Sequence, residues 1–412
     1  MSRADKIFSS LLAVLCLYTI VLSVRYINRQ EKWSPIDEYA HFDYVEKLIT
    51  GRMPRLSDPI SEEIYRHIKN NPAQSVSGVS QTREELGLGN FSYQAKHPPF
   101  YFMVLSAPEC IFQKMEIDVF QRLKLLRLFS YFLFIAGMLL CIPVFRALTK
   151  LGYKIPLFYS VGCVLFGLLI FPHERYGLGN NALSPLLINA ALLFLVRYYI
   201  RPTNSSLYLF IIFCGLSVVT ALTNIFIVPV LFLFMLKKYR AYFSWKSFIV
   251  SCSLVGATLL SILLWQRLSV PDPGFEEFIQ TVLAMTIPAG ILNYTQFTNL
   301  ITEDAFTLNI IGDHFSITKI MIYLFLFSTI YCLFYWKAVW RKHRWLVLSG
   351  LLFAALAATT FLMNRHVPRV TWVAFRHYLG FIPVIYVSCT GFILVLYTNY
   401  LTWKERREAL PR

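Results

Sequence analysis

Apolar runs close to the length of a bilayer-spanning helix recur along the whole 412-residue chain. A helix needs roughly 20 mostly apolar residues to cross the hydrocarbon core. These runs therefore predict about ten transmembrane helices and exclude a soluble domain. No repeat period is visible along the chain. The predicted spans are 7–24, 126–145, 155–172, 182–200, 207–222, 224–236, 247–265, 319–337, 345–363 and 378–399.

Two apolar stretches need separate arguments. The first run follows only Arg3 and Lys6, and no small-x-small cleavage site comes after it, so it is predicted to remain as a membrane anchor. The stretch 98–113 is short and contains Pro108 and Glu109. Its length alone does not say whether it crosses the membrane.

The distribution of charge decides the topology, because short cytoplasmic loops are rich in Lys and Arg. If 98–113 does not cross, the inner pieces hold 19 of the 39 Lys and Arg residues but only three of the 23 acids. If it crosses, most of these basic pieces move outside. We therefore predict that 98–113 is a half-inserted or surface-lying helix on the outer face, and that both termini are cytoplasmic. The inner pieces are 1–6, 146–154, 197–206, 237–246, 337–344 and 400–412.

The predicted fold is an all-α polytopic membrane protein with one membrane domain over 1–412. A large helical outer loop at 25–125 follows the first span, and a second outer loop occupies 266–318. The inner pieces account for the net charge of +16, which removes the argument for a nucleic-acid partner. Seven of the eight cysteines lie in apolar runs, so neither a disulfide framework nor a paired-Cys metal motif is expected.

A short helix is predicted directly after the first span. Ser34 suits its N-cap and Pro35 its first position, and Gly51 ends it. Asp37, His41 and Tyr44 then share one face. Ser34 and Asp37 also fit a capping box, which needs no catalytic role. The functional interpretation is favoured because this amphipathic helix adjoins an anchor and precedes a second polar cluster.

That second cluster is Lys96-His97-Pro98-Pro99, which opens the half-inserted helix. The prolines fix the backbone, so Lys96 and His97 are expected at the positive end of the helix, where an anion is stabilised. A phosphate at the membrane surface fits this position. The alternative is that Lys96 snorkels to lipid headgroups and His97 caps the helix.

The order of these motifs resembles that of the GT-C superfamily of polytopic glycosyltransferases, which use lipid-phosphate sugars. The similar elements are an acidic Asp-Glu pair after the first span, a His-Pro-Pro-Phe-Tyr element, the opening of the second span, and an Arg-His-Tyr-Leu element that enters a late span. They lie at 35–42, 97–101, 126–130 and 375–383.

The resemblance implies an inverting-type sugar transfer from a polyprenyl-phosphate carrier to a glycan or glycolipid acceptor. Asp37 and Glu38 would be the catalytic carboxylates, with Asp37 as general base or as the carboxylate that orients the acceptor. Cations would stabilise the departing phosphate. No cofactor and no metal site is assigned, although a divalent cation is left open. The residues expected to bind substrate are His41, Tyr44, Lys96, His97, Glu174, Arg175, Arg376, His377 and Tyr378.

Several positions keep two interpretations. Glu174 either replaces an acid that relatives carry in this outer turn or forms a surface pair with Arg175 that has no function. Thr223-Asn224 stands where relatives commonly have Thr-Lys. The adjacent Asp313 and His314 favour a solvated loop over a metal site.

Two other classes of membrane protein fit the sequence less well. A transporter or flippase usually carries polar side chains near the middle of its spans, whereas here the polar clusters lie at one face. A surface-glycan polymerase or ligase normally has its catalytic loop late in the chain. We expect a bacterial inner membrane with the active site facing the periplasm. The motifs at Asn90 and Asn293 also fit glycosylation in a eukaryote. The sequence specifies neither the sugar nor the acceptor.

Overall fold

The computed structural model describes residues 3–30, 33, 38–55, 58–70, 93–169, 177–179, 182–221, 224, 235, 239, 242, 244–269, 307–310, 313–316, 327–331, 334 and 382–408. Its longer helices are α1 Arg3–Arg29, α2 Glu38–Ile49, α3 Glu62–Asn70, α4 Phe100–Lys114, α5 Val119–Leu139, α6 Cys141–Thr149, α7 Leu157–Leu169, α8 Ser184–Ile200, α9 Asn204–Val218, α10 Trp245–Ser269 and α11 Ile382–Glu408. A 3-10 turn at Tyr93–Lys96 precedes α4.

Apolar helices dominate the described part of the chain, as expected for a membrane protein. Four helical segments within it are long and apolar enough to cross a bilayer: Asp5–Arg29, Val119–Thr149, Trp245–Ser269 and Ile385–Glu405. Shorter apolar helices, α7, α8 and α9, coincide with three more of the predicted spans. The predicted spans 224–236, 319–337 and 345–363 lie wholly or largely outside the described residues.

The described elements are helical, as the all-α prediction expected, with the exception of one short pair of strands. Strands β1 (Thr307–Ile310) and β2 (Asp313–Ser316) form an antiparallel pair with Thr307 opposite Ser316. The pair lies within the segment predicted as the second outer loop. Asp313 and His314, predicted to lie in a loop, therefore belong to β2.

Specific contacts fix the relative directions of the helices. Asp5 on α1 accepts a hydrogen bond from the backbone N–H of Phe158 on α7, so both helices begin at the same end. A Cβ on Gly137 would touch Pro185, and Asn189 lies beside Cys141, so α5–α6 and α8 run parallel. Gly215 packs on Thr258, which makes α9 and α10 neighbours. These directions agree with the alternation that the predicted topology requires.

The two ends of the bundle differ in character. Lys154 pairs with Glu405 at one end, where α6 and α8 finish and α7 and α9 begin. We call this the basic end, because the cations of the predicted inner pieces 146–154 and 197–206 gather there. Helices α2 and α4 pack together at the opposite end, beside the beginning of α5. We call that the site end.

The stretch 98–113 forms the 15-residue helix α4, which begins at Phe100 directly after Pro99. It is not among the described helices that are long enough to cross a bilayer. Its contacts are with α2 and α5, and the side chain of Glu109 is fully buried between them. The predicted helix is therefore present.

Candidate functional site

Helix α2 forms the centre of the site end, and it is buried on nearly every side. Nine of its twelve residues are buried, including Glu38, His41, Asp43 and Glu46. An amphipathic surface helix would leave such polar side chains exposed to water. Here α3, α4 and α5 cover them, so each buried carboxylate needs a partner from a neighbouring element. Gly51 lies two residues after the end of α2 and has a left-handed φ of +74°, so the helix ends where the sequence predicted.

Glu38 is held in a buried two-point ion pair with Arg127 of α5. Arg127 Nε lies 2.8 Å from Glu38 Oε1, and Arg127 Nη2 lies 2.5 Å from Oε2. The same Oε1 accepts a hydrogen bond of 3.0 Å from the backbone N–H of Leu178. Arg127 Nη1 also donates to the carbonyl of Gln30 at 3.4 Å, just after α1. This pair joins α1, α2, α5 and the segment before α8.

Two predicted substrate-binding residues of α2 meet the His-Pro-Pro element. The ring of Tyr44 stacks on Phe102 with centroids 4.0 Å apart, and His41 stacks on the same ring at 5.4 Å. The imidazoles of His41 and His97 have centroids 6.3 Å apart. Tyr44 also donates a hydrogen bond to the carbonyl of His97 at 3.3 Å. We call His41, Tyr44, His97 and Phe102 the aromatic cluster.

The N-terminus of α4 offers few free backbone donors to an anion. Pro98 and Pro99 have no N–H group, and the N–H of Phe100 donates to the carbonyl of Val219 at 3.3 Å. The partial positive charge of the helix end remains. An anion held here would therefore depend on side chains such as that of His97 more than on backbone N–H groups.

The end of α10 lies beside the aromatic cluster. Trp265 and Ser269 lie near the hydroxyl group of Tyr44, and burial raises the pKa of this phenol well above its usual value. Trp265 also packs with Val218 at the end of α9 and with Met53. The ends of α9 and α10 thus meet α2 and α4 at the site end.

A second set of charges joins α2 to α3, α4 and α5. Arg122 Nη1 lies 3.0 Å from Glu46 Oε1 and also contacts Glu109, while Nη2 lies 3.0 Å from Glu63 Oε1. We call Glu46, Glu63, Glu109 and Arg122 the carboxylate cluster. Glu46, Glu109 and Arg122 are buried, whereas the side chain of Glu63 is 58% exposed. Three carboxylates therefore share one guanidinium.

The excess of acid changes the protonation of the cluster. Burial raises the pKa of Glu46 to about 7, despite the favourable charge of Arg122. Burial also raises the pKa of Glu109 above its usual range. The neighbouring carboxylate of Glu63 acts in the same direction on both groups. The buried cluster thus holds a proton more tightly than isolated carboxylates do.

Asp43 has a structural position on the same helix. Its Oδ2 accepts from Lys47 Nζ at 2.7 Å, and its Oδ1 accepts the backbone N–H of Ser61 at 2.8 Å. Lys47 also donates to the carbonyl of Pro59 at 2.7 Å. These bonds attach the segment before α3 to α2.

Only some of the sequence-predicted site residues fall in the described part of the chain. Glu38, His41, Tyr44 and His97 converge at the site end, and the backbone of Lys96 lies in the 3-10 turn before α4. Asn224, in place of the expected lysine, donates to Ser184 and to the carbonyl of Ser217. Asp37, Glu174, Arg175, Arg376, His377 and Tyr378 lie outside the described residues.

Sequence reasoning did not identify the buried partners of these residues. Arg127 stood out only as part of a short motif, and Glu109 only as a polar interruption of an apolar stretch. Charge within apolar surroundings was the available signal, because a buried charge requires a partner. The partners themselves, such as Glu38 with Arg127, are 89 positions apart and could not be paired by spacing.

Within the described residues, no group of three or more His, Cys, Asp or Glu side chains is arranged to hold a metal ion. No protein-family model matches the sequence, and comparisons with curated proteins and with solved structures found no match.

Proposed function

We propose that the protein transfers a sugar from a polyprenyl-phosphate carrier to a glycan or glycolipid acceptor, at the site end of the helical bundle. One observation carries the proposal: the helix that follows the first apolar helix and the His-Pro-Pro element, some 50 residues later, meet in the aromatic cluster. The proposal places this end on the outer side of a bacterial inner membrane. It adopts the mechanism that the resemblance to GT-C enzymes implies.

Asp37 is the proposed general base. It would take the proton from the acceptor hydroxyl as the hydroxyl oxygen attacks the anomeric carbon of the donor. The bond between that carbon and the phosphate oxygen breaks, and its electron pair leaves with the polyprenyl phosphate. Attack from the opposite face inverts the anomeric configuration. The next residue, Glu38, is engaged by Arg127, and we assign it a positioning role because its two oxygens are already occupied.

Cations and aromatic rings are the proposed surroundings of the donor. Lys96 and His97 would stabilise the growing negative charge on the departing phosphate. Arg376 and His377 are proposed for the same task, and Glu174, Arg175 and Tyr378 for contacts with the sugar or acceptor. His41 and Tyr44 stack on Phe102 next to His97, and we propose that they form the wall of the donor site behind His97.

A transfer assay tests the proposal. Purified full-length protein would be reconstituted in liposomes with a panel of radiolabelled polyprenyl-phosphate sugars and glycolipid acceptors, and the label in the acceptor would be counted. We expect transfer by the wild-type protein, and a loss of at least a hundredfold in Asp37→Asn, because general-base catalysis contributes about that factor or more. Lys96→Ala should also reduce transfer.

Arg52→Gln is the matched control, because Arg52 is an exposed cation near the end of α2. Its transfer rate should equal that of the wild type. Undiminished transfer by Asp37→Asn would overturn the assignment of the base. Movement of the labelled lipid or sugar across the bilayer with no transfer would instead support a transporter or flippase.

A further inference from the structure

A cleft at the basic end is lined by four cations and no acid. Its volume is about 440 Å³, and it lies where α6, the last turn of α8 and the first turn of α9 meet. All four cations are exposed. None of them forms an ion pair with another residue in the described ranges. The four cations are Arg146, Lys150, Arg197 and Arg201.

Topology alone explains why cations are present here, but it does not explain their arrangement. Lys and Arg are favoured at cytoplasmic loops and at helix C-termini. Neither preference requires that four cations from two helices line one concave surface. In addition, Thr203 and Ser206 at the start of α9 line the cleft, and the hydroxyl of Thr203 donates a hydrogen bond to that of Ser206 at 2.9 Å. The cleft therefore combines positive charge with neutral hydrogen-bonding groups.

The remaining wall of the cleft is apolar. Pro143, Ala147, Leu193 and Ile200 line it, and Ala147 and Leu193 belong to a small buried cluster with Val144. A free inorganic anion gains nothing from such a wall, whereas an acyl chain does. Charge above an apolar wall is the arrangement that suits a phospholipid.

We infer that this cleft binds the headgroup of an anionic phospholipid of the adjacent leaflet. The lipid phosphate would contact the four cations and accept a hydrogen bond from the hydroxyl of Ser206, whose oxygen accepts from Thr203. The start of an acyl chain would lie along the apolar wall. Basic surfaces between membrane helices attract acidic headgroups in this way. The inference does not depend on sugar transfer, because the cleft is at the opposite end of the bundle from the proposed active site.

A neighbouring cleft of about 510 Å³ shows the contrast. It shares Arg146 but is also lined by Asp5, and its Lys154 is paired with Glu405. The protein itself supplies anions there. The lining of the first cleft contains no Asp or Glu, so its cations can pair with an anionic ligand.

Binding measured on the purified full chain in neutral detergent tests the inference. The probes are dioctanoyl phosphatidylglycerol, dioctanoyl phosphatidylcholine and inorganic phosphate, and the readout is the dissociation constant from calorimetry. We expect phosphatidylglycerol to bind more tightly than either of the others. The double variant Arg197→Gln/Arg201→Gln should bind it about tenfold more weakly or worse, since each cation near a membrane surface contributes substantially.

Two further variants keep the test sharp. Arg407→Gln removes an exposed cation of α11 that stacks on Trp403 outside the cleft, and it should bind like the wild type. Arg197→Lys/Arg201→Lys keeps the charge and should bind within a few-fold of the wild type. Equal affinity for the two lipids, or an unchanged affinity in the Gln variant, would overturn the inference. Phosphate that competes as well as phosphatidylglycerol would show a simple anion site and would also overturn it.

Discussion

The burial of Glu38 distinguishes two adjacent carboxylates at the residue scale. Glu38 is fully buried and meets Arg127 through both of its oxygens. Both oxygens of Glu38 already accept hydrogen bonds, so this carboxylate is poorly placed to take a proton from a substrate. We therefore propose Asp37 as the general base and Glu38 as the residue that fixes the start of α2.

Glu38→Gln should therefore act on stability. Removing the negative charge breaks the buried two-point ion pair with Arg127, which costs about 3 kcal/mol or more of unfolding free energy. A thermal melt in detergent should show a clear fall in midpoint. Asp37→Asn should melt with the wild type while losing transfer.

The double variant Glu38→Leu/Arg127→Met is the control for that prediction. It removes both charges and should recover part of the lost stability, because an apolar pair can replace a buried ion pair. If Glu38→Gln melts like the wild type but loses transfer, the roles assigned to the two carboxylates are reversed.

Part of the site could be predicted from the sequence, and the buried ion-pair partners could not. The sequence predicted that His41, Tyr44 and His97 form one binding site. In the structure Tyr44 donates a hydrogen bond to the carbonyl of His97, and the rings of His41 and His97 are neighbours. The partners Arg122 and Arg127 could not be assigned. Their roles follow from packing between elements that are far apart in the chain, which spacing does not encode.

At the scale of the elements, the carboxylate cluster couples α2 to three neighbours and makes their packing sensitive to pH. Glu46 is surrounded by Glu63 of α3, Glu109 of α4 and Arg122 of α5. Its pKa is raised from 4.5 to about 7 by burial. The folded protein therefore binds a proton that the unfolded chain has released between these two pH values.

The contribution of Glu46 to stability is full below about pH 4.5 and is lost as the pH rises to about 7. Over that window it amounts to about 3 kcal/mol. Urea unfolding of Glu46→Gln should show a flatter pH dependence than the wild type, and the variant should be at least as stable at pH 8. If the free energy of unfolding changed with pH between pH 5 and pH 7 equally in the wild type and in the variant, Glu46 would not be the group responsible.

The contact between α5 and α8 depends on a missing side chain. A Cβ on Gly137 would lie 2.4 Å from the backbone nitrogen of Leu186 and 2.7 Å from the carbonyl carbon of Pro185. Small residues allow membrane helices to approach this closely, and Asn189 adds a hydrogen bond to the carbonyl of Gly137 at 2.8 Å.

Gly137→Ala should lower the stability of the bundle by about 1–3 kcal/mol, since backbone atoms must move apart. Thermal melts in detergent would measure the loss. Gly256→Ala on α10 is the control, because a Cβ there meets nothing within 4 Å, and it should be neutral or slightly stabilising. Equal melting of both variants would show that α5 and α8 are not in such close contact.

For the whole molecule, the pattern of charge predicted more than the pattern of hydrophobicity. Run lengths indicate helices, but only the Lys and Arg distribution assigns directions to them. The contacts of α1 with α7, and of α5–α6 with α8, have the directions that this distribution requires. The hairpin of β1 and β2 was missed, because four-residue strands carry too little periodic signal in a segment between predicted spans.

Cysteine labelling in a cysteine-free background tests the orientation in cells. Met115 and Leu151 are exposed and lie near opposite ends of the Val119–Thr149 span. A membrane-impermeant maleimide applied to spheroplasts should label Met115→Cys directly, but Leu151→Cys only after the membrane is permeabilised. The reverse pattern would place the site end in the cytoplasm and remove the proposed periplasmic reaction.

Sugar transfer at the site end requires that a lipid phosphate be bound where α2 and α4 meet. Photo-crosslinking with a benzophenone analogue of polyprenyl phosphate, followed by peptide mapping, measures this binding. We expect crosslinks in the peptides that contain 38–49 and 93–105, and their loss when unlabelled polyprenyl-phosphate sugar competes. Crosslinks confined to the basic end at 143–154 and 193–206, or none that the sugar donor displaces, would show that the donor binds elsewhere.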